Sequence, residues 1–124
     1  MARPTEDEEW VEARIESWVE TYKKSMLTPV ILRVVEAAQP VTVARIAAGV
    51  ASATGWTITE RSMYRSLKRL QDSGFLQSAE VAAPRTGAKR KEISLTAVGA
   101  RFLAGINDSL VGFSPPRSGE GAGN

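Results

Sequence analysis

The stretch TERSMYRSLKRLQDSGFL, residues 59–76, decides the fold of this chain of 124 residues. Its apolar residues recur at helical spacing and share one face (Met63, Leu67 and Leu70). Its cations lie on the other faces of the same predicted helix (Arg61, Arg65, Lys68 and Arg69). Gly74 follows at a position where helices often end in a left-handed residue. The stretch therefore predicts a short helix that packs through one side and leaves a basic side exposed.

The composition narrows the classes of function. No apolar run approaches the roughly 20 residues of a membrane helix, and the acidic N-terminus is unlike a signal sequence. Cysteine and histidine are both absent, which excludes disulfides and thiolate or imidazole metal sites and removes the usual general base. We therefore expect a cytoplasmic protein that is not an enzyme, contacts no membrane and needs no metal or other cofactor.

The charge is unevenly distributed along the chain, although its net value is only +2. Residues 1–20 carry seven acids against two arginines, a formal charge of −5. Residues 61–101 carry nine bases against three acids, a formal charge of +6. A basic half favours a polyanion partner, but chance clustering on a solvated surface explains the charge alone equally well.

Two helices are predicted before residue 40. The first covers residues 5–25, begins at Thr5 and carries acids in its first turn. Five of its apolar residues share one face (Val11, Ile15, Trp18, Tyr22 and Met26). The second is expected to begin at Thr28-Pro29, because proline suits the first helical position, and to end before Gln39-Pro40.

The next helix is expected to begin at Thr42 and to close at Gly55. Residues 57–59 are β-branched and favour a short strand. Either Thr57 or Thr59 can cap the basic helix that follows, and Thr57 with Glu60 matches a capping box. Three helices therefore come in succession, and the third is the basic one.

The residue pattern changes after Gly74. Residues 75–83 and 91–95 read as two strands, and residues 84–90 between them read as a turn. Thr96 then caps a last helix whose apolar residues share a face (Phe102, Ile106 and Leu110). These elements predict a mainly α fold with a small β-hairpin, a winged helix-turn-helix with an added N-terminal helix and a C-terminal helix.

We expect four regions along the chain. Residues 1–26 form an acidic amphipathic helix for dimerisation, and residues 27–96 form the winged helix-turn-helix DNA-binding domain. Residues 97–111 form a C-terminal helix for dimerisation, and residues 112–124 form a disordered tail rich in Pro, Gly and Ser.

In a winged helix the third helix enters the major groove and the hairpin lies along the backbone beside it. The candidate DNA-binding residues on the basic helix are Thr59, Arg61, Ser62, Tyr64, Arg65, Lys68 and Arg69. Those expected at the tip of the wing are Arg85, Lys89, Arg90 and Lys91. Arg61 and Arg65 contact either bases or phosphates only, and Tyr64 contacts a phosphate or packs against the wing. We expect Arg69 to lie on the wing side.

The stretch 59–76 resembles the recognition helix of the PadR family of bacterial transcriptional regulators, with Thr59 before the helix, Tyr64-Arg65 in its first half and Gly74 at its end. The segment SLTAVGARFL, residues 94–103, is similar to the segment that follows the wing in that family. The resemblance implies a homodimer built through terminal helices, binding to double-stranded DNA and repression of promoters, often relieved by a small effector. This chain lacks the family's usual Gly-Tyr pair in residues 41–55 and has a single short C-terminal helix.

Three aromatic residues of the first helix are candidates for an effector site or a dimer interface (Trp10, Trp18 and Tyr22). Apolar stripes at helical spacing are more often core or interface than ligand sites. Two other functions stay open at this point. One is a partition or replication-control protein of a plasmid or phage, which binds an array of DNA repeats. The other is a winged-helix module that binds an acidic protein.

Overall fold

The computed structural model describes residues 5–111, which form four helices and one antiparallel pair of strands. The elements follow in the order α1 (Glu6–Ala38), α2 (Val43–Thr54), α3 (Glu60–Asp72), β1 (Leu76–Ala82), β2 (Lys89–Leu95) and α4 (Ala97–Ser109). This mainly helical architecture with one hairpin confirms the predicted winged helix-turn-helix. None of the helices in the described range combines the length and the apolarity needed to cross a membrane.

The prediction of two separate helices before residue 40 was wrong, because α1 runs unbroken through Pro29. An internal proline removes one backbone hydrogen bond and costs roughly 3 kcal/mol. The buried part of α1 begins at this proline, so packing against the core offsets the cost (Pro29, Val30, Ile31, Leu32 and Val35). The residues before it, 6–28, contain no buried side chain, so α1 projects its N-terminal half away from the core.

Helix caps match the prediction at most positions. The Thr5 hydroxyl accepts from the Glu8 N–H at 3.2 Å, and the Glu8 carboxylate accepts from the Thr5 N–H at 3.1 Å. Thr42, Thr59 and Thr96 cap α2, α3 and α4 through the hydroxyl alone, which accepts from the N–H three residues later. Gly55 and Gly74 take the left-handed conformation, with φ of 76° and 82°. The prediction of a capping box formed by Thr57 and Glu60 was wrong, since Thr59 supplies the cap of α3.

The core lies between the second half of α1, helices α2, α3 and α4, and the base of the hairpin. Its largest fully buried side chains come from every one of these elements (Ile31, Leu32, Ile46, Met63, Leu67, Ile93 and Leu103). Burial of this kind contributes about 1.5–3 kcal/mol for each large aliphatic side chain. The stripe that the sequence assigned to α3 is therefore the side that docks the helix.

The wing pairs Leu76 with Leu95 at its base and Ala82 with Lys89 near its tip. Strand β2 begins at Lys89, two residues before the predicted start. The prediction of a short strand at residues 57–59 was also wrong, because these residues pair with no strand. Val41 pairs with the hairpin instead, exchanging two backbone hydrogen bonds with Ile93 at 3.0 and 2.8 Å.

Helix α4 packs against α1 and the start of the wing. Leu103 is its fully buried side chain, and the ring of Phe102 stacks on Phe75 with centroids 4.1 Å apart. The Arg33 guanidinium of α1 donates to Asn107 Oδ1 through Nε at 3.0 Å. The predicted tail, residues 112–124, lies outside the described residues.

Candidate nucleic-acid interface

The outward face of α3 follows from its buried face. Met63, Ser66, Leu67 and Leu70 are buried. With about 100° of rotation per residue, the positions opposite to them are 61, 65, 68 and 72. Three of these are cations, and all four side chains are exposed (Arg61, Arg65, Lys68 and Asp72). The helix therefore presents a row of positive charge two turns long before it reaches Asp72.

Helix α3 and strand β2 border one cleft of about 390 Å³. Tyr64 and Lys68 line it from the helix, and Lys91 lines it from the wing. Its floor and rim are completed by Val43, Leu67, Gln71, Asp72 and Ile93. Lys68 of α3 and Lys91 of the wing thus lie on one surface, as the interpretation of the sequence requires. Tyr64 is 51% exposed, so its hydroxyl is free to reach a ligand in the cleft.

The wing cations do not all lie at the tip. Arg85 belongs to the turn, but Lys89, Arg90 and Lys91 belong to β2. Because strand side chains alternate between two faces, Lys89 and Lys91 share the face of Ile93, towards α3. Arg90 lies on the opposite face, with its Nη2 3.3 Å from Glu92 Oε2. The turn prediction for residues 89 and 90 was wrong, since the ladder extends as far as Lys89.

The remaining candidates on α3 lie at its edges. Thr59 supplies the N-cap, accepting from the Ser62 N–H at 3.1 Å. Ser62 and Arg69 lie on the flank opposite to Tyr64 and Gln71, so Arg69 faces away from the wing rather than towards it. Lys68 Nζ lies 3.1 Å from Asp72 Oδ2, and both side chains are well exposed. Such exposed pairs contribute little to stability, but this one reduces the positive charge at the end of the row.

Sequence reasoning missed the N-terminus of α2. Thr42, Val43 and Ala44 line a second recess of about 270 Å³ together with Tyr64, Arg90 and Lys91. The first N–H groups of a helix have no partner within the helix and carry partial positive charge, which suits a phosphate. The Thr42 cap was visible in the sequence, but its position beside the wing depends on how Val41 pairs with Ile93.

The aromatic residues of α1 lie outside this surface. Trp10 and Trp18 are 62% and 67% exposed, and the ring of Trp18 stacks on Tyr22 at 5.6 Å. Tyr22 also approaches Trp56 edge-on, with ring centroids 6.1 Å apart. Tyr22 and Trp56 border a groove between α1 and the end of α2, and this groove has a volume of about 530 Å³.

Comparison with known proteins connects this geometry to a family. The family model described as Transcriptional regulator PadR-like family matches residues 31–105. No curated protein matches the sequence significantly. Among solved structures, a PadR-like transcriptional regulator from Bacillus cereus is 22% identical, with a TM-score of 0.64, over 72% of this chain and 84% of the other.

Two further structures share the fold. A PadR family transcriptional regulator from Eggerthella lenta is 20% identical, with a TM-score of 0.67, over 79% of this chain and 83% of the other. Bacillus subtilis PadR, in complex with operator DNA, is 20% identical with a TM-score of 0.60, and the match covers 78% of this chain but 56% of that longer one. The family match spans more than half of the sequence, and the chain belongs to the PadR-like family of transcriptional regulators.

Proposed function

We propose that this PadR-like regulator binds double-stranded DNA in a sequence-specific way, as a homodimer, and represses transcription. The observation that carries the proposal is the shared surface of α3 and β2, where Tyr64, Lys68 and Lys91 line one cleft below the exposed Arg61 and Arg65. A helix with an apolar inner side and a cationic outer side fits the major groove, while cations of the adjacent wing fit phosphates.

The residues divide into two roles. Arg61 and Arg65 lie in the first half of α3, where base edges are reached, and arginine pairs with both acceptors of guanine. Tyr64 on the wing side of α3, and Lys89 and Lys91 on β2, contact phosphates. The N–H groups at the start of α2 add a further phosphate contact on the same side. Arg85 extends the contact at the tip of the wing, and Arg69 and Arg90 lie at the margins.

The family supports this function beyond the geometry. Bacillus subtilis PadR has the same fold and was crystallised with operator DNA. An operator is a site of transcriptional control, so repression is the proposed outcome of binding. A regulator of this kind acts with the chromosome in the cytoplasm, and a small effector that relieves repression is the proposed signal.

The proposal of a homodimer is argued from the exposed apolar surface of the terminal helices. Val11, Ile15, Trp18 and Tyr22 of α1 are exposed along one side. On α4 and its C-cap, Val98, Phe102 and Leu110 are exposed at spacings of four and eight residues. Monomeric proteins rarely expose contiguous apolar patches above a few hundred Å². A dimer through these helices would place two copies of α3 in successive major grooves, about 34 Å apart.

The decisive experiment selects bound duplexes from a random pool with the purified protein and footprints the enriched site. We expect one palindromic site, whereas an array of repeats would favour partition or replication control. The binding constant is then measured against salt concentration. Neutralisation of about six phosphates predicts a log–log slope of roughly −5, and a shallow slope would contradict duplex binding.

Single substitutions separate the two roles. Arg61→Ala is expected to relax base preference by about 1–3 kcal/mol at one position, whereas Lys89→Ala weakens binding to all sequences equally. Arg101→Ala serves as the control, because Arg101 is an exposed cation on α4 outside the cleft. If Arg61→Ala and Lys89→Ala both lower affinity uniformly, Arg61 does not read bases.

A further inference from the structure

The exposed apolar stripe of α1 does not stop where the core begins. It runs through Val11, Ile15, Trp18 and Tyr22 and continues at the same helical spacing into Met26, Val30 and Val34. Tyr22, Met26, Val30 and Val34 line the 530 Å³ groove from α1 together with Arg33 and Ala37, and the opposite wall is Ala53, Thr54 and Trp56. The stripe therefore has two halves. Before Tyr22 it is an exposed ridge, and after Tyr22 it forms one wall of the groove.

The charge of α1 divides at the same place. Residues 6–20 carry seven acids and Arg14, a formal charge of −6. Residues 21–38 carry three bases and one acid, a formal charge of +2 (Lys23, Lys24, Arg33 and Glu36). Two copies of α1 side by side in parallel would set −6 against −6. In the antiparallel orientation each acidic half meets the basic half of its partner, and the helix dipoles also oppose each other favourably.

We propose that α1 pairs with α1 of a second copy in the antiparallel orientation, about a two-fold axis near Tyr22, so that the acidic half of each helix covers the groove of the other. This inference rests on the proposed homodimer and specifies its register. Tyr22 is the midpoint between Val11, at the start of the stripe, and Arg33, beside the groove. The axis brings Tyr22 next to the partner's Tyr22 and Trp18 level with the partner's Met26. The partner's Val11 then lies level with Arg33.

The exposed area agrees with a stable pairing. The open half of the stripe, with Trp10 at its edge, exposes two tryptophans, a tyrosine and two aliphatic residues, each at 45% or more of its full area (Trp10, Val11, Ile15, Trp18 and Tyr22). Since an aromatic side chain presents about 150–250 Å², this half offers on the order of 500 Å² per protomer. Two such halves reach the roughly 1,000 Å² that a specific interface needs, before the walls of the groove are counted.

Single cysteines test the register, because the chain has no cysteine of its own. In the proposed pairing, residue 22 lies against its own copy, while residue 15 lies 14 residues from its copy along the axis, or about 21 Å. A disulfide requires Cβ atoms about 3.5–4.5 Å apart. Tyr22→Cys is therefore expected to form a covalent dimer on oxidation, and Ile15→Cys is not. A mixture of Trp18→Cys and Met26→Cys is expected to give the mixed disulfide.

The outcomes separate the two proposals. Light scattering of the unsubstituted protein that shows a monomer overturns the homodimer and the register together. A dimer in which Ile15→Cys cross-links as well as Tyr22→Cys has parallel helices and overturns the register alone. A dimer in which neither Tyr22→Cys nor the Trp18→Cys and Met26→Cys mixture cross-links also overturns it, because α1 then packs on another element. All four sites lie on the part of α1 without buried side chains, so these variants retain the core.

A second variant tests whether the groove is filled by the partner. Ala53→Phe places a ring in the groove and is expected to weaken dimerisation at least tenfold in sedimentation equilibrium. Ala51→Phe is the matched control, because residue 51 is also exposed on α2 but lies about 200° away around the helix. A dimer that is unaffected by Ala53→Phe leaves the groove to another occupant, such as a small aromatic effector, and overturns this part of the proposal.

Discussion

Gly99 controls how closely α4 approaches the wing. A Cβ atom at this position would collide with the carbonyl oxygen of Phe75 and would lie 2.8 Å from its carbonyl carbon. The obstacle is backbone, and the same carbonyl accepts a hydrogen bond from the Thr96 N–H at 3.1 Å. In Gly99→Ala the helix must therefore move outward, which loosens the packing of Leu103 and strains the link to the wing. We expect this substitution to destabilise the fold.

The magnitude follows from two opposing effects. Replacing glycine by alanine within a helix is favourable by about 0.4–1 kcal/mol. Overpacking costs typically 1–3 kcal/mol and more where backbone must shift, so the net loss is about 2 kcal/mol. For a chain of this size, that loss lowers the melting temperature by roughly 8 °C.

Urea and thermal unfolding measured by circular dichroism test this expectation. Gly105→Ala is the control. Gly105 lies in the same helix as Gly99, but a Cβ atom there would meet no atom within 4 Å. This control is expected to raise the free energy of unfolding by about 0.5–1 kcal/mol. A Gly99→Ala protein as stable as the unsubstituted one would show that α4 does not pack against Phe75 as described.

Two other predictions test the core and the DNA surface. Leu103→Ala removes a fully buried side chain and is expected to cost about 2–5 kcal/mol in urea unfolding; a loss below about 1 kcal/mol would place α4 outside the core. Asp72→Asn frees Lys68 from its ion pair and is expected to tighten DNA binding and steepen the salt dependence by about one unit, with little change in stability. An unchanged salt dependence would show that the ion pair with Asp72 does not keep Lys68 from a phosphate.

Local signals in the sequence predicted the ends of most helices. Thr42, Thr96, Gly55 and Gly74 act on backbone groups within a few residues, so a short window contains all the information that their roles require. The prediction that the helix breaks at Pro29 was wrong for the opposite reason. The proline signal is local, but the packing that keeps α1 continuous comes from residues far away in the sequence.

The candidate DNA surface also has one part that local sequence predicts and other parts that depend on the tertiary structure. The cationic side of α3 follows from the spacing of Met63, Leu67 and Leu70, because a helix with one buried side must expose the other. The start of β2 does not follow from residues 89–91 alone, since Lys89 is held in the strand by Ala82 across the ladder. The contribution of the α2 N-terminus depends on tertiary structure, and only the folded chain brings Val43 beside Lys91.

The N-terminal half of α1 connects the fold to the proposed assembly. Residues 6–28 contribute no buried side chain to the protomer, so the core does not explain why they are helical. Isolated helices are marginal in water, and a capping box at Thr5 adds only about 1 kcal/mol. The acids of the first turn favour the helix without restricting what covers it. An apolar ridge of two tryptophans on such a helix gains stability when it is covered, and the chain itself offers a covering surface in the groove beside Trp56.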